Sequence, residues 1–589
     1  MTSQTGAVET ARISAADPHL AVEHDTAALG GAQDRQIVSA KFLLTVLVLT
    51  ALFFAVFIPY LNSMWAWLVL AISALPVYSI IYSRVLYLKG WFLHRREVFS
   101  PTHTDPQLTH YPDLAFVIAA YNEPFDVAKM TFDCAYRARY SGAREIIVVD
   151  NTKDSDTDDF QMWKMYVESH IGEDPRVRVV FHHDTAEGGS KARNMDLAQG
   201  LIDQAEYVVF LDIDSSLPLD VEFLDIAVSK FVADPQLGIL QFHSVPTNGH
   251  FNRLGRAVAL AQLGHRTREL IRSRGGFATF YGHNAMWRRS LLELNGSWLE
   301  HYRGNLMVTE DLLKTLAVHT KGYTSQYMNV PTGEWVPASL SSLNSMWMRW
   351  TYGGFQVLSK YFRAIVSAKG LTTTQRIDLV TLIGSYAATP LIFPIVFLWF
   401  AVFPPALVAT MTFLIIFLPP MLYAGLYWKL DKSAEPRGLI HRAWDLYSGL
   451  FVIEAYVFMV QLRAVVNFVA GKKQGWRVTA KSGEDKPRRR DILIDNRYMV
   501  TVAAVAIAML FAVWGYHSGF DHSVLKYHLV VALIPVNLLL CVLVYGGQVQ
   551  GANDSADEAT IDRVSARDDV RDVSTPRYVE DHDYVLVGQ

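Results

Sequence analysis

Two aspartates one residue apart, Asp212 and Asp214, close the apolar run Tyr207-Val208-Val209-Phe210-Leu211. The run suits a buried central strand of a parallel sheet, because it is apolar on both faces and bounded by Ser215, Ser216 and Pro218. Ligands of open α/β sheets bind beyond the carboxyl ends of the strands, where these carboxylates stand. Alternation along a strand lets both face one ion, and hard oxygen donors suit Mg2+ or Mn2+ shared with substrate phosphates. Solvated turn aspartates have the same sequence, so the assignment depends on what else the chain brings to them.

The elements that must position this pair run from about Thr104 to Thr374. Apolar strands recur at Leu114–Ala120, Glu145–Asp150, Val177–His182 and Tyr207–Asp214, separated by helix-compatible segments as βαβ units require. Polar groups gather at their ends: Tyr121, Asn122 and Glu123 after the first, Asp150 and Asn151 after the second. Such a collection is what a nucleotide crevice needs. Lys191 follows Gly188-Gly189-Ser190 at a helix start, an arrangement of amides and one ammonium that suits an anion or simply a capped surface helix. Thr309-Glu310-Asp311 opens another helix; it reads as an N-cap with acids in the first turn, or as a carboxylate base. Arg349 offers a fork for phosphate and Trp350 a flat face, though Trp347 and Trp350 also suit an interfacial anchor. His283 is read as a core or capping histidine. No Gly-x-Gly-x-x-Gly or Walker lysine loop is present, which argues against dinucleotide and ATPase folds.

The 589 residues are 51% apolar, with mean hydropathy +0.16, and the excess belongs to membrane helices. Three hairpins are expected within 41–83, 375–428 and 498–546, each pair of segments long enough to span. Basic residues after the first hairpin (Arg84, Lys89, Arg95, Arg96) put the adjoining domain on the cytoplasmic side. Basic residues flank 441–470 on both sides, so this apolar segment, which carries Glu454, Gln461, Arg463 and Asn467, is expected to lie in the interface. The alternative is a seventh span whose polar residues have partners. Six spans leave both termini inside. Residues 1–40 and the acidic 551–589 are expected to be disordered tails. Cys134 and Cys541 alone exclude a disulfide framework, and the lack of internal repeats disfavours an inverted-repeat transporter.

From about Tyr111 to Lys481 the chain resembles the membrane-embedded processive glycosyltransferases of family 2, the group of bacterial cellulose synthase, hyaluronan synthase and chitin synthase. The motifs in order are Asp150, Lys191-Ala192-Arg193-Asn194, Asp212-Ile213-Asp214, Phe280-Tyr281-Gly282-His283-Asn284, Thr309-Glu310-Asp311, Met346-Trp347-Met348-Arg349-Trp350 and Trp476-Arg477-Val478-Thr479-Ala480-Lys481. The resemblance implies an α/β GT-A (Rossmann-like) catalytic domain between transmembrane hairpins. It also implies roles: Tyr121, Glu123 and Asp150 at the nucleotide, Lys191 and Arg349 at the diphosphate, Asp212 and Asp214 at Mg2+ or Mn2+, Asp311 as general base, and Trp350 under the acceptor sugar. Thr479 and Lys481 would belong to a gating loop within 471–491. The chain departs from the pattern at His283-Asn284, within the stretch Phe280–Asn284 where cellulose synthases carry Phe-Phe-Cys-Gly-Ser, and at Met346, where the family has glutamine; both bear on the acceptor end. The implied partners are a UDP-sugar donor, a polysaccharide acceptor and the lipid bilayer, with no nucleic acid. The implied activity is inverting transfer, of glucose first, onto a β-linked polymer exported across a bacterial inner membrane. Alternatives within enzymes are an amino-sugar polymer or single transfer to a lipid carrier; outside them, a transporter or non-catalytic scaffold.

Overall fold

The structure is a computed structural model that describes residues 39–94, 108–185, 190–219, 222–249, 251–274, 277–422, 424, 439–474 and 488–549. Gly188, Gly189, Trp476, Thr479, Lys481 and both tails lie outside the described residues.

The apolar strands expected from the sequence form β1 (Leu114–Ala120), β2 (Arg144–Asp150), β3 (Val177–His183) and β4 (Tyr207–Asp212). They are joined by β5 (Leu237–Pro246), β6 (Ala285–Arg288) and, beyond a two-residue ribbon of β7 (His301–Tyr302) and β8 (Asn305–Leu306), β9 (Thr324–Glu334). The main sheet has the order β3–β2–β1–β4–β6–β5–β9. The first four strands are parallel, whereas β6 runs antiparallel between β4 and β5. Alternation along the strands feeds two cores. Phe116, Ile118, Val209 and Leu211 join one face, and Val117, Val208 and Phe210 the other. Each such side chain contributes about 1.5–3 kcal/mol on burial, which is why the central strands must be apolar on both sides.

The helices are α1 (Ala40–Ala55), α2 (Met64–His94), α3 (Phe125–Arg137), α4 (Asp158–Ser169), α5 (Lys191–Leu201), α6 (Phe223–Ala233), α7 (Arg253–Arg274), α8 (Arg289–Leu294), α9 (Glu310–Thr320), α10 (Leu340–Ser367) and α11 (Thr373–Ala388), followed by apolar helices up to Tyr545. Among the described residues seven helical segments are long and apolar enough to cross a membrane. The expected count was six. The seventh is Leu439–Val469, which covers all but the last residue of the segment assigned above to the interface; 61% of its apolar window is buried inside the protein, the largest share of the seven. Its Glu454 has the kind of partner a span needs, an ion pair with Arg84 of α2 at 2.6 Å. Helix α10 links the two parts of the molecule: Leu343, Met346 and Met348 join the core of the membrane helices, while Val357 and Ile365 pack with Leu313 and Leu316 of α9.

Candidate active site

The turn after β4 is fixed by its neighbours. Thr131 of α3 donates its hydroxyl to the carbonyls of Ile213 at 2.6 Å and Ser215 at 2.8 Å. Ser216 exchanges backbone hydrogen bonds with Gly333 at 3.1 and 2.7 Å. β4 ends at Asp212, so Asp214 belongs to this turn rather than to the strand. A second loop, Tyr281–Asn284, is bound to the same place. The Gln241 amide donates to the carbonyls of His283 and Asn284 at 3.1 and 2.9 Å and accepts from the Tyr281 N–H at 2.9 Å. The Asn284 amide donates to the Gly333 carbonyl at 3.0 Å. The loop is anchored from below by Phe280, which packs on Trp287 with centroids 5.1 Å apart, beside Phe210 and Trp298. Aromatic pairs of this kind add about 0.5–1.5 kcal/mol each beyond their burial.

The side chains held by these loops face one another. Lys191, at the start of α5, contacts Asp212 Oδ1 with its ammonium. Helix α5 begins there because Ser190 caps it, accepting from the Arg193 N–H. On the other Asp212 oxygen stands His283, Nδ1 to Oδ2 at 3.4 Å, while its Nε2 lies 2.8 Å from Glu334 Oε2. Burial pulls the His283 pKa down, but Asp212 and Glu334 outweigh it and hold the ring above its ordinary value. Burial likewise pulls Lys191 down, and Asp212, Glu310 and Asp311 raise it overall. His283 is therefore not the core or capping histidine expected from the sequence. It is a half-buried ring between two carboxylates, in a loop whose turn needs positive φ at Gly282 (+89°) and Asn284 (+50°).

Glu310 and Asp311 occupy the first turn of α9, where the helix dipole favours negative charge. Thr309 stands at the N-cap position but makes no capping bond. Its hydroxyl is buried without a partner, because Gly353 of α10 lies directly against it. Burial raises the pKa of both acids. Glu310, with Asp311 beside it, is pushed up to about 7, and Asp311 rises less because the Leu312 N–H, Lys191, Arg349 and His283 oppose the burial. Asp311 Oδ1 accepts from that N–H at 2.7 Å. A β-carbon on Gly282 would lie 3.2 Å from Lys191 Nζ and 3.5 Å from Asp311 Oδ2, so the diphosphate-type cation and the candidate base converge on a single glycine.

One open cavity of about 1480 Å3, mouth included, is lined by Asp212, Asp214, Asp311, Arg349 and Trp350. The sequence had scattered these residues over several separate segments. Met346 and His283 line it as well, along with Glu334 and Tyr327, for which no motif gave a signal. Tyr121, Glu123 and Asp150 do not line it. They stand at the same sheet edge: Ala120 pairs with Asp150 as Ala119 pairs with Asp212. Asp150 is buried, accepts the Thr152 N–H at 2.7 Å, and has its pKa raised by that burial. The Asn122 N–H donates to Thr152 Oγ1 at 2.7 Å, fixing the turn between Tyr121 and Glu123.

Among the described residues no cluster of three or more His, Cys, Asp or Glu side chains gathers around one point. Two carboxylates with the remaining shell left to water and phosphate nevertheless fit Mg2+ or Mn2+, which are held in just this sparse way in phosphate-transfer sites. Asp212 has Lys191 and His283 on its oxygens.

A mixed sheet with paired aspartates at the end of its central strand, and an acid lining the same cavity, is thus set beside helices long and apolar enough to cross a membrane. Residues 207–428 match the family model described as glycosyl transferase family group 2. The matched stretch runs from β4 into the apolar helices beyond α11 and is less than half of the chain. A rice protein (Oryza sativa subsp. japonica) described as a probable glucomannan 4-beta-mannosyltransferase is 24% identical over 265 residues, 44% of this chain and 44% of that protein; the chain thus spans less than half of that relative's length. Among solved structures, the mannosyltransferase PcManGT from Pyrobaculum calidifontis in complex with GDP-Man and Mn2+ is similar with a TM-score of 0.45 and 19% identity, over 68% of this chain and 99% of that one. S. aureus TarS in complex with UDP is similar with a TM-score of 0.32 and 14% identity, over 62% and 94%.

Proposed function

We propose that the protein transfers a hexose, glucose first, from a UDP-sugar onto a growing β-linked polysaccharide, with inversion, and passes the chain into its own membrane helices. The observation that carries this is the cavity itself. Asp214 and Asp311 line it together, and Gln262, Leu382 and Tyr386 line both it and a second cavity between the membrane helices. A product that lengthens at the first therefore has somewhere to go. The donor diphosphate would lie against Lys191 and Arg349, with the nucleotide along the sheet edge at Tyr121, Glu123 and Asp150. Asp212 and Asp214 would hold the divalent ion, which supplies neutralisation of the leaving diphosphate. Asp311 takes the proton of the acceptor hydroxyl as that oxygen attacks the anomeric carbon and the nucleoside diphosphate leaves from the opposite face, so an α-linked donor yields a β-linked product. Trp350 offers its ring to the acceptor, with Met346 beside it where the related pattern has a hydrogen-bonding glutamine. Thr479 and Lys481 complete the proposal as a lid over the diphosphate. The catalytic domain faces the cytoplasm of a bacterial cell, by the excess of Lys and Arg next to the membrane helices.

Mannose is the second sugar to test, because the rice relative is described as a mannosyltransferase. Purified full-length protein given UDP-glucose, UDP-N-acetylglucosamine or GDP-mannose in turn will release nucleoside diphosphate with one of them and build a product of matching composition. Asp311→Asn lowers that rate by about 10²–10⁴. No release from any donor, or an Asp311→Asn variant as active as the parent, refutes the proposal.

A further inference from the structure

The second cavity, about 1220 Å3 with its openings, lies among α2, α7, α10, α11 and the helical segment Leu439–Val469. Its wall is mostly apolar and aromatic, with Tyr87, Trp347, Tyr386 and Phe458 presenting rings. Into this wall the fold sets a charge of each sign, Arg84 from α2 and Glu454 from the helix opposite, both lining the cavity and joined at 2.6 Å. Their side chains keep 17% and 25% of their surface exposed, so the pair faces the cavity instead of being sealed in packing. Ionisable groups within membrane helices are costly and mark a path or a site more often than they stabilise. An apolar replacement would pack as well in lipid.

We propose that Arg84 and Glu454 form a glycan station that admits neutral sugar chains and rejects those bearing carboxylates, which makes the product an uncharged polysaccharide. The inference rests on the passage of product into this cavity. A closed guanidinium–carboxylate pair has no net charge and still offers donors and acceptors at its edges. Sugar hydroxyls exchange hydrogen bonds with both members while the aromatic rings take the apolar faces of the sugar, and no charge is left uncompensated. A uronate entering the same space meets Glu454 as a like charge, or displaces it from Arg84 and strands it in a cavity of low polarity. Discrimination of this kind is built from repulsion as much as from attraction.

The test is equilibrium binding of two probes to the purified full-length protein in detergent: neutral β-linked hexose oligosaccharides, and oligosaccharides of the same length that contain glucuronate. The wild type is expected to hold the neutral probe at least tenfold more tightly. Glu454→Gln removes the repulsion and takes the carboxylate away from Arg84, so the preference shifts toward the uronate probe by tenfold or more. The exchange Arg84→Glu with Glu454→Arg keeps a closed pair and keeps the neutral preference, which separates charge from folding. Equal binding of both probes by the wild type, no binding of either, a ratio unchanged in Glu454→Gln, or loss of the preference in a folded exchange variant overturns the proposal. Nucleoside diphosphate release is measured on the same samples. Its absence from the wild type sinks the transferase reading, whereas release with the wrong binding ratio sinks only the station.

Discussion

Gly353 of α10 lies against Thr309, the residue that begins α9: a β-carbon at 353 would meet Thr309 Cγ2 at 2.4 Å and Oγ1 at 2.5 Å. The two helices bring opposite sides of the site. α10 carries Arg349 and Trp350 one turn before the glycine, and α9 carries Asp311 two residues after the threonine. Their separation is thus set by a missing methyl group.

Gly353→Ala should drive these helices apart or twist one of them. Overpacking of this sort costs about 1–3 kcal/mol, and a shift of even an ångström between base and acceptor costs about 10²-fold in rate. The expected outcome is a modest fall in Tm with a much larger fall in kcat, and little change in donor binding. Equal activity with equal stability would show that the contact yields without consequence.

The acid pair of α9 makes a pH prediction with a definite sign. Asp311 must be ionised to accept a proton, and burial holds its pKa above the ordinary value; the acidic limb of kcat/KM therefore lies above the usual aspartate range. Glu310 is raised from 4.5 to about 7 in the folded protein, so the folded state binds this proton more tightly than the unfolded chain does. Its contribution to stability is complete below about pH 4.5 and is lost as the pH rises through 7. Glu310→Gln should raise stability at pH 8 by up to about 3 kcal/mol, at about 1.4 kcal/mol per pKa unit, and do little at pH 4. It should leave the acidic limb of activity nearly in place, because Glu310 is still protonated and neutral where Asp311 titrates. Thermal melts at the two pH values and a pH–rate profile check both.

How much of this was legible depended on whether a local pattern existed. β1 to β4 are continuous apolar runs and were read to within two residues, since a strand buried on both faces has no other way to be written. β5, β6 and β9 were not found. β6 has four residues, β5 carries Gln241, His243 and Ser244, and β9 contains Pro331 and Gly333 near a register shift at Phe242/His243. Their pairing is set by partners distant in the chain, and no window of sequence holds it. Asp212, Asp214, Asp311, Arg349 and Trp350 stood out because resemblance and chemistry agreed on them. Glu334 did not, as one acid after a Thr-Gly pair at a strand end carries no signal. The segment 441–470 was assigned to the interface from the charges at its ends, and no local pattern could pair its Glu454 with Arg84, 370 residues away.

Removal of divalent ions should abolish transfer while leaving the protein folded, because Lys191 and His283 already compensate Asp212. Chelation is expected to cost at least about 100-fold in rate, the ion's share of charge neutralisation being several kcal/mol. Asp214→Asn should require more Mn2+ for half-maximal rate and leave the melt near that of the parent. A chelated protein that transfers at full rate would refute the assignment of Asp214.

Lys191 has two duties that a substitution separates. In the protein as it stands its ammonium neutralises Asp212, and in the proposed cycle it also meets the donor diphosphate. Lys191→Met keeps the length of the side chain and removes the charge, which takes the ammonium away from Asp212 and leaves the diphosphate with one fewer cation. Donor KM should rise by tenfold or more, since a hydrogen bond to a charged group is worth about 1.5–3 kcal/mol, and kcat should fall as well if the ammonium stabilises the departing charge. His283→Gln should do neither to the same degree, because the imidazole faces Glu334 and Asp212 rather than standing at the start of a helix. Its loss leaves Glu334 and Asp212 facing each other without a cation between them and should lower Tm more than it raises donor KM. Kinetics and melts of both variants decide the matter: a donor KM unaffected by Lys191→Met places the diphosphate elsewhere.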